Sequence, residues 1–326
     1  MGERFDTVVV GAGVIGLTTA LRLQQAGSRV AVLTAEPPAE TTSSVAAAVW
    51  YPTRTRFEPS VLEWATRTHD EFARQAADGV PGVVMRPTRM LLRGAAHDIP
   101  WWASALPGLR TLRGGEVRAP FTGGWAFTVP TVEMSHYLPW LQQTFSAAGC
   151  TLIHRRLDAL EQAGVRAPRG GNALRPATPA LCHRYGVLTG PGQLVPAPHP
   201  GLHTSVRDED NADGYTYVHP RSTDVVLGGT FEIGEWDTTP SPATAAAILR
   251  RCTDLLPELA GAPVLGHQVG LRPFRDSGVR LEADPRPPGP IRRLVHNYGH
   301  GGAGVTLAWG CADAATALVI GAVRPG

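Results

Sequence analysis

The feature that most constrains this chain is a glycine-spaced turn near its start. Thr7 to Val10 is a short β-branched run ending in Gly11-Ala12-Gly13-Val14-Ile15-Gly16, after which Leu17, Ala20, Leu21 and Leu23 recur at helical spacing. Ala26-Gly27 closes that helix, and Val30-Ala31-Val32-Leu33 supplies a second strand. The pattern predicts a βαβ crossover. In such a unit Gly11 permits the turn, Gly13 lets backbone N–H groups approach a pyrophosphate, and Gly16 allows close helix–strand packing. A bound dinucleotide is the expectation, and a ligand-free strand–helix turn is the alternative.

Composition narrows the rest. The 326 residues are 43% hydrophobic and 18% charged, an ordinary globular balance, and 30 basic against 28 acidic residues give a net charge of +2. No basic field argues for nucleic acid or an anionic membrane as a partner. Every basic residue is Arg, so neither a Schiff base to a pyridoxal cofactor nor a P-loop lysine can form. Cys150, Cys182, Cys252 and Cys311 are far apart, which favours neither a zinc site nor a disulfide framework and fits a reducing cytosol. The first apolar stretch, Thr7 to Ala20, is too short and Gly-rich to span a membrane, so a cytoplasmic location is expected.

Further along, the hydroxyl cluster Thr41-Thr42-Ser43-Ser44 leads into Val45-Ala46-Ala47-Ala48-Val49-Trp50. It reads as a helix N-cap or as the lining of a flat cofactor's path. Arg86 to Trp125 lacks periodicity and reads as irregular connections, whereas Val132 to Ala148 and Ala245 to Leu259 read as helices. Tyr215, Tyr217 and His219 alternate in a β-rich block from Gly214 to Phe231. Arg272 sits in the apolar run Gly266 to Pro273, where it needs either a structural ion pair or an anionic substrate. The last motif, Leu294 to Leu307, is a strand, a Gly-rich loop and the start of a helix, an arrangement that presents backbone donors to an anion. His296 and His300 lack a third ligand at suitable spacing, so no metal is expected.

Taken together, Gly11 to Gly16, Thr41 to Trp50, Tyr217-Val218-His219-Pro220, Gly270-Leu271-Arg272-Pro273 and His296 to Gly304 resemble the D-amino-acid oxidase family, in the family's order and across nearly the whole chain. The resemblance implies an α/β flavoprotein. Its Rossmann-like doubly wound FAD-binding domain (residues 1–51, 130–193 and 274–326) would be interleaved with a substrate domain on a large mixed β-sheet (52–129 and 194–273). It implies oxidative deamination of a D-amino acid, with hydride passing to flavin N5, molecular oxygen reoxidising the cofactor to give hydrogen peroxide, and the imino acid hydrolysing to a 2-oxo acid and ammonia. Arg272 matches the family's carboxylate clamp, Tyr217 the tyrosine that also contacts the carboxylate, and Gly302 the residue whose carbonyl receives the substrate amine. For the cofactor it implies Gly11, Ala12, Gly13, Val14, Ile15 and Gly16 at the pyrophosphate. Thr41, Thr42, Ser43, Ala47, Ala48 and Val49 would line its path, and Gly301, Gly302, Ala303, Gly304, Val305 and Thr306 would face the flavin. Glu36 would substitute for the ribose-binding acid, since Ala35 occupies the matched position. A homodimer is left open.

Several departures carry expectations of their own. Asp213 stands where vertebrate members have a lid tyrosine, which implies a more open site. The acidic-substrate branch carries an Arg after Gly-Gly-Thr; here Phe231 follows Gly228-Gly229-Thr230, so neutral D-amino acids are preferred, with Arg221 as the residue that would overturn this. D-aspartate, and glycine or secondary amines, remain the alternative substrates. Between Ala163 and Gly192, where the family has a strand ending in Asn-Cys-Thr-Gly, the chain is Arg-, Pro- and Gly-rich and shows no strand pattern. Compensated frameshifts and genuine divergence both account for this, and either implies an impaired flavin site.

Overall fold

A computed structural model describes residues 4–52, 57–94, 98–163, 169–172 and 184–321. The opening crossover forms as its glycines require. Strands β1 (Thr7–Val10) and β2 (Val30–Thr34) pair in parallel around helix α1 (Val14–Gln25). Gly11 turns at φ 104°, a left-handed value that a Cβ would strain. At Gly16 an added Cβ would lie 1.9 Å from the Gly11 carbonyl oxygen, so only glycine lets the helix start this close to the turn.

This unit seeds a six-stranded sheet. Its further members are β6 (Thr151–His154), β7 (Arg169–Asn172), β13 (Arg280–Ala283) and β14 (Arg293–Tyr298), in the order β13-β14-β7-β1-β2-β6. All its pairings are parallel except β13 with β14. A second, eight-stranded sheet contains β3 (Val83–Leu92), β4 (Arg110–Leu112), β5 (Gly123–Val132), β8 (Leu188–Pro198), β9 (Ser205–Asp208), β10 (Thr216–Pro220), β11 (Asp224–Gly228) and β12 (Gln268–Phe274). Its order is β12-β8-β11-β10-β9-β3-β5-β4, antiparallel but for β3 with β9, which makes it mixed.

Helices α2 (Pro59–Ala77), α3 (Met134–Ala147), α4 (Pro242–Leu255) and α5 (Gly304–Ile320) cover these layers. Leu17, Val32, Phe72, Leu141, Phe145 and Trp309 form one core under α1, α3 and α5, and Trp50, Trp102, Trp125, Phe127 and Leu307 form another. By length and composition alone the stretch Gly301–Ile320 would cross a membrane, yet 67% of it is buried. It is held as a core helix: Thr18 Oγ1 on α1 donates to the Ala308 carbonyl at 3.3 Å, and the Gly310 amide donates to Thr68 Oγ1 on α2 at 2.9 Å.

Three features of the sheets refine the sequence reading. Arg86 to Trp125 is irregular over most of its length, but it opens inside β3 and closes at the start of β5, which pair with each other, with the short β4 between them. Their pattern was obscured by Pro87 and by residues on both faces that are only partly covered. The stretch after Ala163 does contain a strand, β7, placed centrally between β1 and β14 by backbone pairing that needs no side-chain alternation. The rest of that stretch, 164–168 and 173–183, lies outside the described residues. Finally, β8 belongs whole to the eight-stranded sheet, paired continuously with β11 and β12.

Candidate active site

A single cleft of about 1420 Å³, its open mouth included, runs from the N-terminus of α1 to the face of the large sheet. Among the residues expected to hold a cofactor, Gly11, Gly13, Val14, Ile15 and Gly16 line one end, and Thr41, Thr42, Ser43, Ala47, Ala48 and Val49 line the adjoining wall. Gly301, Gly302, Gly304 and Val305 line it from the other side. Two segments more than 250 residues apart in sequence therefore face one space.

Local hydrogen bonds explain the wall. Helix α1 has no side-chain cap of its own at Gly13; instead the Val14 amide donates to Ser43 Oγ at 3.0 Å. Thr42 Oγ1 donates to the Leu271 carbonyl at 2.9 Å, which ties this wall to β12. The hydroxyl cluster thus braces the turn rather than capping a helix of its own. Ala48 has φ 51°, a left-handed conformation whose strain of about 1 kcal/mol is held by the Val132 amide donating to its carbonyl at 2.7 Å.

Four of the expected cofactor residues are not in the lining. Ala12 and Ala303 have buried side chains in the two cores. Thr306 is turned toward Tyr51, its hydroxyl accepting from the Tyr51 amide at 3.1 Å and donating to the Tyr51 carbonyl at 3.2 Å. Glu36 instead meets Arg156 at 3.1 Å, because the chain after β6 brings that guanidinium across the end of β2.

The other end of the cleft is built on β-sheet register. Tyr217 on β10 is directly opposite Gly228 on β11 and Arg207 on β9, so these positions share one face. A Cβ at Gly228 would lie 2.0 Å from Tyr217 Cζ, so the ring occupies the space this glycine leaves. Gly192 on β8 does the same for Arg272, whose Nη1 would be 1.9 Å from a Cβ there. Arg272 Nη1 donates to the Thr230 carbonyl at 2.8 Å, and its Cζ lies 5.4 Å from the centre of the Phe231 ring. No carboxylate pairs with Arg272 among the described residues. The structural ion pair is therefore not what holds it in place, and its charge faces the cleft. A side chain at Gly302 would come to 4.0 Å of Arg272 Cδ, which places that backbone beside the guanidinium.

Arg207 and His219 are among the buried lining residues that sequence reasoning did not assign to the site. Tyr215, singled out only as a same-face neighbour of Tyr217, also lines the cleft. His219 stacks on Tyr217 with centroids 4.6 Å apart and planes 16° from parallel. Arg207 lies 3.5 Å from the centre of the Tyr51 ring, pairs with Glu209 at 2.7 Å and donates to the Tyr215 hydroxyl. The only forewarning was alternation along short strands. Arg221, the residue expected to decide substrate charge, is instead held in a bidentate pair with Asp224, both contacts at 2.6 Å, and is not in the lining.

Burial sets the protonation states. It raises the Tyr217 phenol well above its usual range, Arg272 opposing only in part, so Tyr217 is a hydrogen-bond donor at neutral pH. It lowers His219 well below 6.5, and the Arg207 charge adds to that effect. His300, buried with no partner for Nε2 among the described residues, is pushed down to about 3.

The His300 shift has a consequence for stability. Its folded pKa lies below the unfolded one, so the unfolded chain binds the extra proton as pH falls from 6.5 toward 3. Stability is full above 6.5 and declines by about 1.4 kcal/mol per pH unit below it. Denaturant unfolding at pH 7 and pH 5 should show the wild type losing about 2 kcal/mol more than His300→Asn; equal losses would refute the assignment.

The residues at the first end suit a dinucleotide. The N-terminus of α1 opens into the cleft with no acidic residue in its first turn, and a Cβ at Gly13 would close to 3.0 Å of Ser43 Oγ, so the backbone donors stay accessible. The comparisons agree with this geometry. The model of the FAD dependent oxidoreductase family DAO matches residues 6–318. A D-amino-acid oxidase of Rubrobacter xylanophilus is 48% identical over 95% of this chain and 94% of its own, and one of Streptomyces coelicolor is 45% identical over 96% of each. Among solved structures, glycine oxidase from Bacillus cereus superimposes with a TM-score of 0.80 at 18% identity, over 98% of this chain and 96% of that one. With its nucleotide turn, its two sheets and its C-terminal glycine loop placed around one cleft, this chain belongs to the FAD-dependent oxidoreductase (DAO) family.

Proposed function

We propose that this protein oxidatively deaminates neutral D-amino acids, with FAD as cofactor and molecular oxygen as final acceptor. The observation that carries the reading is Arg272, which has no carboxylate partner among the described residues, beside Tyr217 at the far end of the cleft that begins at the nucleotide turn. Identities of 45–48% to D-amino-acid oxidases over nearly the whole chain support it.

The roles follow from the donor set. Arg272 presents a planar fork of N–H donors, which suits a bidentate α-carboxylate, and Tyr217 adds a hydroxyl donor. The Gly302 carbonyl accepts from the substrate amine. Three points of attachment fix which face of Cα is presented, and that is the source of D-over-L selectivity. The Gly11–Gly16 turn, the Thr41–Val49 wall and the Gly301–Val305 loop would hold FAD, which would supply the hydride acceptor for the α-hydrogen. Burial keeps Tyr217 protonated and His219 and His300 neutral near pH 7, so none of the three adds a charge beside the substrate. Orientation is what the protein contributes. The imino acid released would hydrolyse to a 2-oxo acid and ammonia, with hydrogen peroxide as the product from oxygen.

Three buried free thiols, Cys150, Cys252 and Cys311, support a reducing, cytoplasmic location. Oxygen uptake by the FAD-loaded protein tests the activity. Uptake with D-alanine, one peroxide formed per oxygen consumed and none with L-alanine, is the expected result. Uptake with L-alanine alone would overturn it.

A further inference from the structure

Arg272 is not the only cation on the substrate end of the cleft. Arg207 extends the same row of the sheet, directly opposite Tyr217, and the residue is 2% exposed. A substrate held by its carboxylate at Arg272 and Tyr217 has Tyr215 and Arg207 as the next groups along that face, since Tyr215 packs on Tyr217 with centroids 5.2 Å apart and accepts from Arg207. A bare buried cation there would draw an acidic side chain. It is not bare. Arg207 Nε donates to Glu209 Oε1 at 2.7 Å, whereas the neighbouring Asp208 is engaged elsewhere, with Arg93 at 2.6 Å.

We propose that Glu209 is a specificity-determining residue, which holds the enzyme to uncharged substrate side chains by neutralising Arg207 from behind the cleft wall. The inference rests on the amino-acid oxidase reading above and assigns its selectivity to one ion pair. In a low-dielectric wall a closed pair presents a dipole, not a charge. With Glu209 behind it, Arg207 offers an entering carboxylate only a fraction of the attraction of a bare cation, too little to offset the carboxylate's desolvation, while an amide of the same shape carries no such desolvation cost. Glu209 is not in the cleft lining, so its removal changes the charge of the wall and leaves its shape.

D-Glutamine and D-glutamate differ only in that charge and serve as the probes. The wild-type holoenzyme is expected to favour D-glutamine in kcat/KM by about tenfold or more. Glu209→Gln should raise the D-glutamate to D-glutamine ratio by about tenfold, and Arg207→Met combined with Glu209→Gln should abolish that rise. A merely structural role for Glu209 would lower both substrates together and leave the ratio unmoved. That result, with D-glutamine still oxidised, overturns the inference and spares the activity. Wild-type enzyme that takes D-glutamate as well as D-glutamine overturns it even if Glu209→Gln does not fold. Absence of turnover with D-glutamine and D-alanine alike overturns the proposed function and the inference with it.

Discussion

Arg272→Leu is expected to lower kcat/KM for D-alanine by about 10²–10³-fold while leaving FAD bound. Removing one member of a buried, hydrogen-bonded charge pair costs about 2–5 kcal/mol, and each 1.4 kcal/mol is a factor of ten. The effect falls at the high end because no carboxylate of the described protein shares this guanidinium, so the substrate carboxylate has it to itself. The leucine would fill part of the space over Gly192 that the guanidinium now occupies, and it would bring no strain to the sheet. Arg272→Lys keeps the charge but loses the fork, and it should recover less than half of the loss on a logarithmic scale. Propionate, a carboxylate without the amine, should lose affinity in parallel with D-alanine. Retained propionate binding in Arg272→Leu would place the clamp elsewhere.

Gly16→Ala is the second large effect, and it acts on the cofactor rather than the substrate. The added methyl would lie 1.9 Å from the Gly11 carbonyl oxygen and 2.9 Å from its carbon, both backbone atoms that cannot rotate away. Helix α1 must therefore move off the turn, which costs about 1–3 kcal/mol as overpacking and withdraws the N–H groups from the pyrophosphate. Gly13→Ala meets only Ser43 Oγ at 3.0 Å, a side-chain atom that can turn aside, so its effect should be smaller. The readout is the flavin absorbance retained per protein after desalting. Gly16→Ala is expected to retain little or none, Gly13→Ala an intermediate fraction. Full retention in Gly16→Ala would mean that the turn does not carry the dinucleotide.

The contrast between these two ends shows what the sequence discloses. The nucleotide turn and the C-terminal glycine loop are local: a strand, glycines at fixed offsets and a helix can be recognised because steric demands act between neighbours along the chain. Tyr217 and Arg272 were legible only through motifs, and nothing local announces that Gly228 and Gly192 make room for them. Arg207 could not be placed from sequence, since cross-strand register between β9 and β10 brings it into the cleft, whereas His219 was announced only by its alternation with Tyr217. Register likewise places β7, which pairs with β1 on one side and β14 on the other. Glu36, placed after β2 where a ribose-binding acid is expected, lies outside the cleft lining and pairs with the exposed Arg156, 120 residues further on.

That the cleft is one continuous site, with cofactor at the α1 turn and D-amino acid at Arg272, is tested most directly by the visible spectrum of the FAD-loaded protein under anaerobic conditions. Addition of D-alanine should bleach the bound flavin and L-alanine should not, with colour returning on admission of air. Flavin that stays bound and oxidised in the presence of excess D-alanine, Tyr217 and Arg272 being intact, would contradict the account.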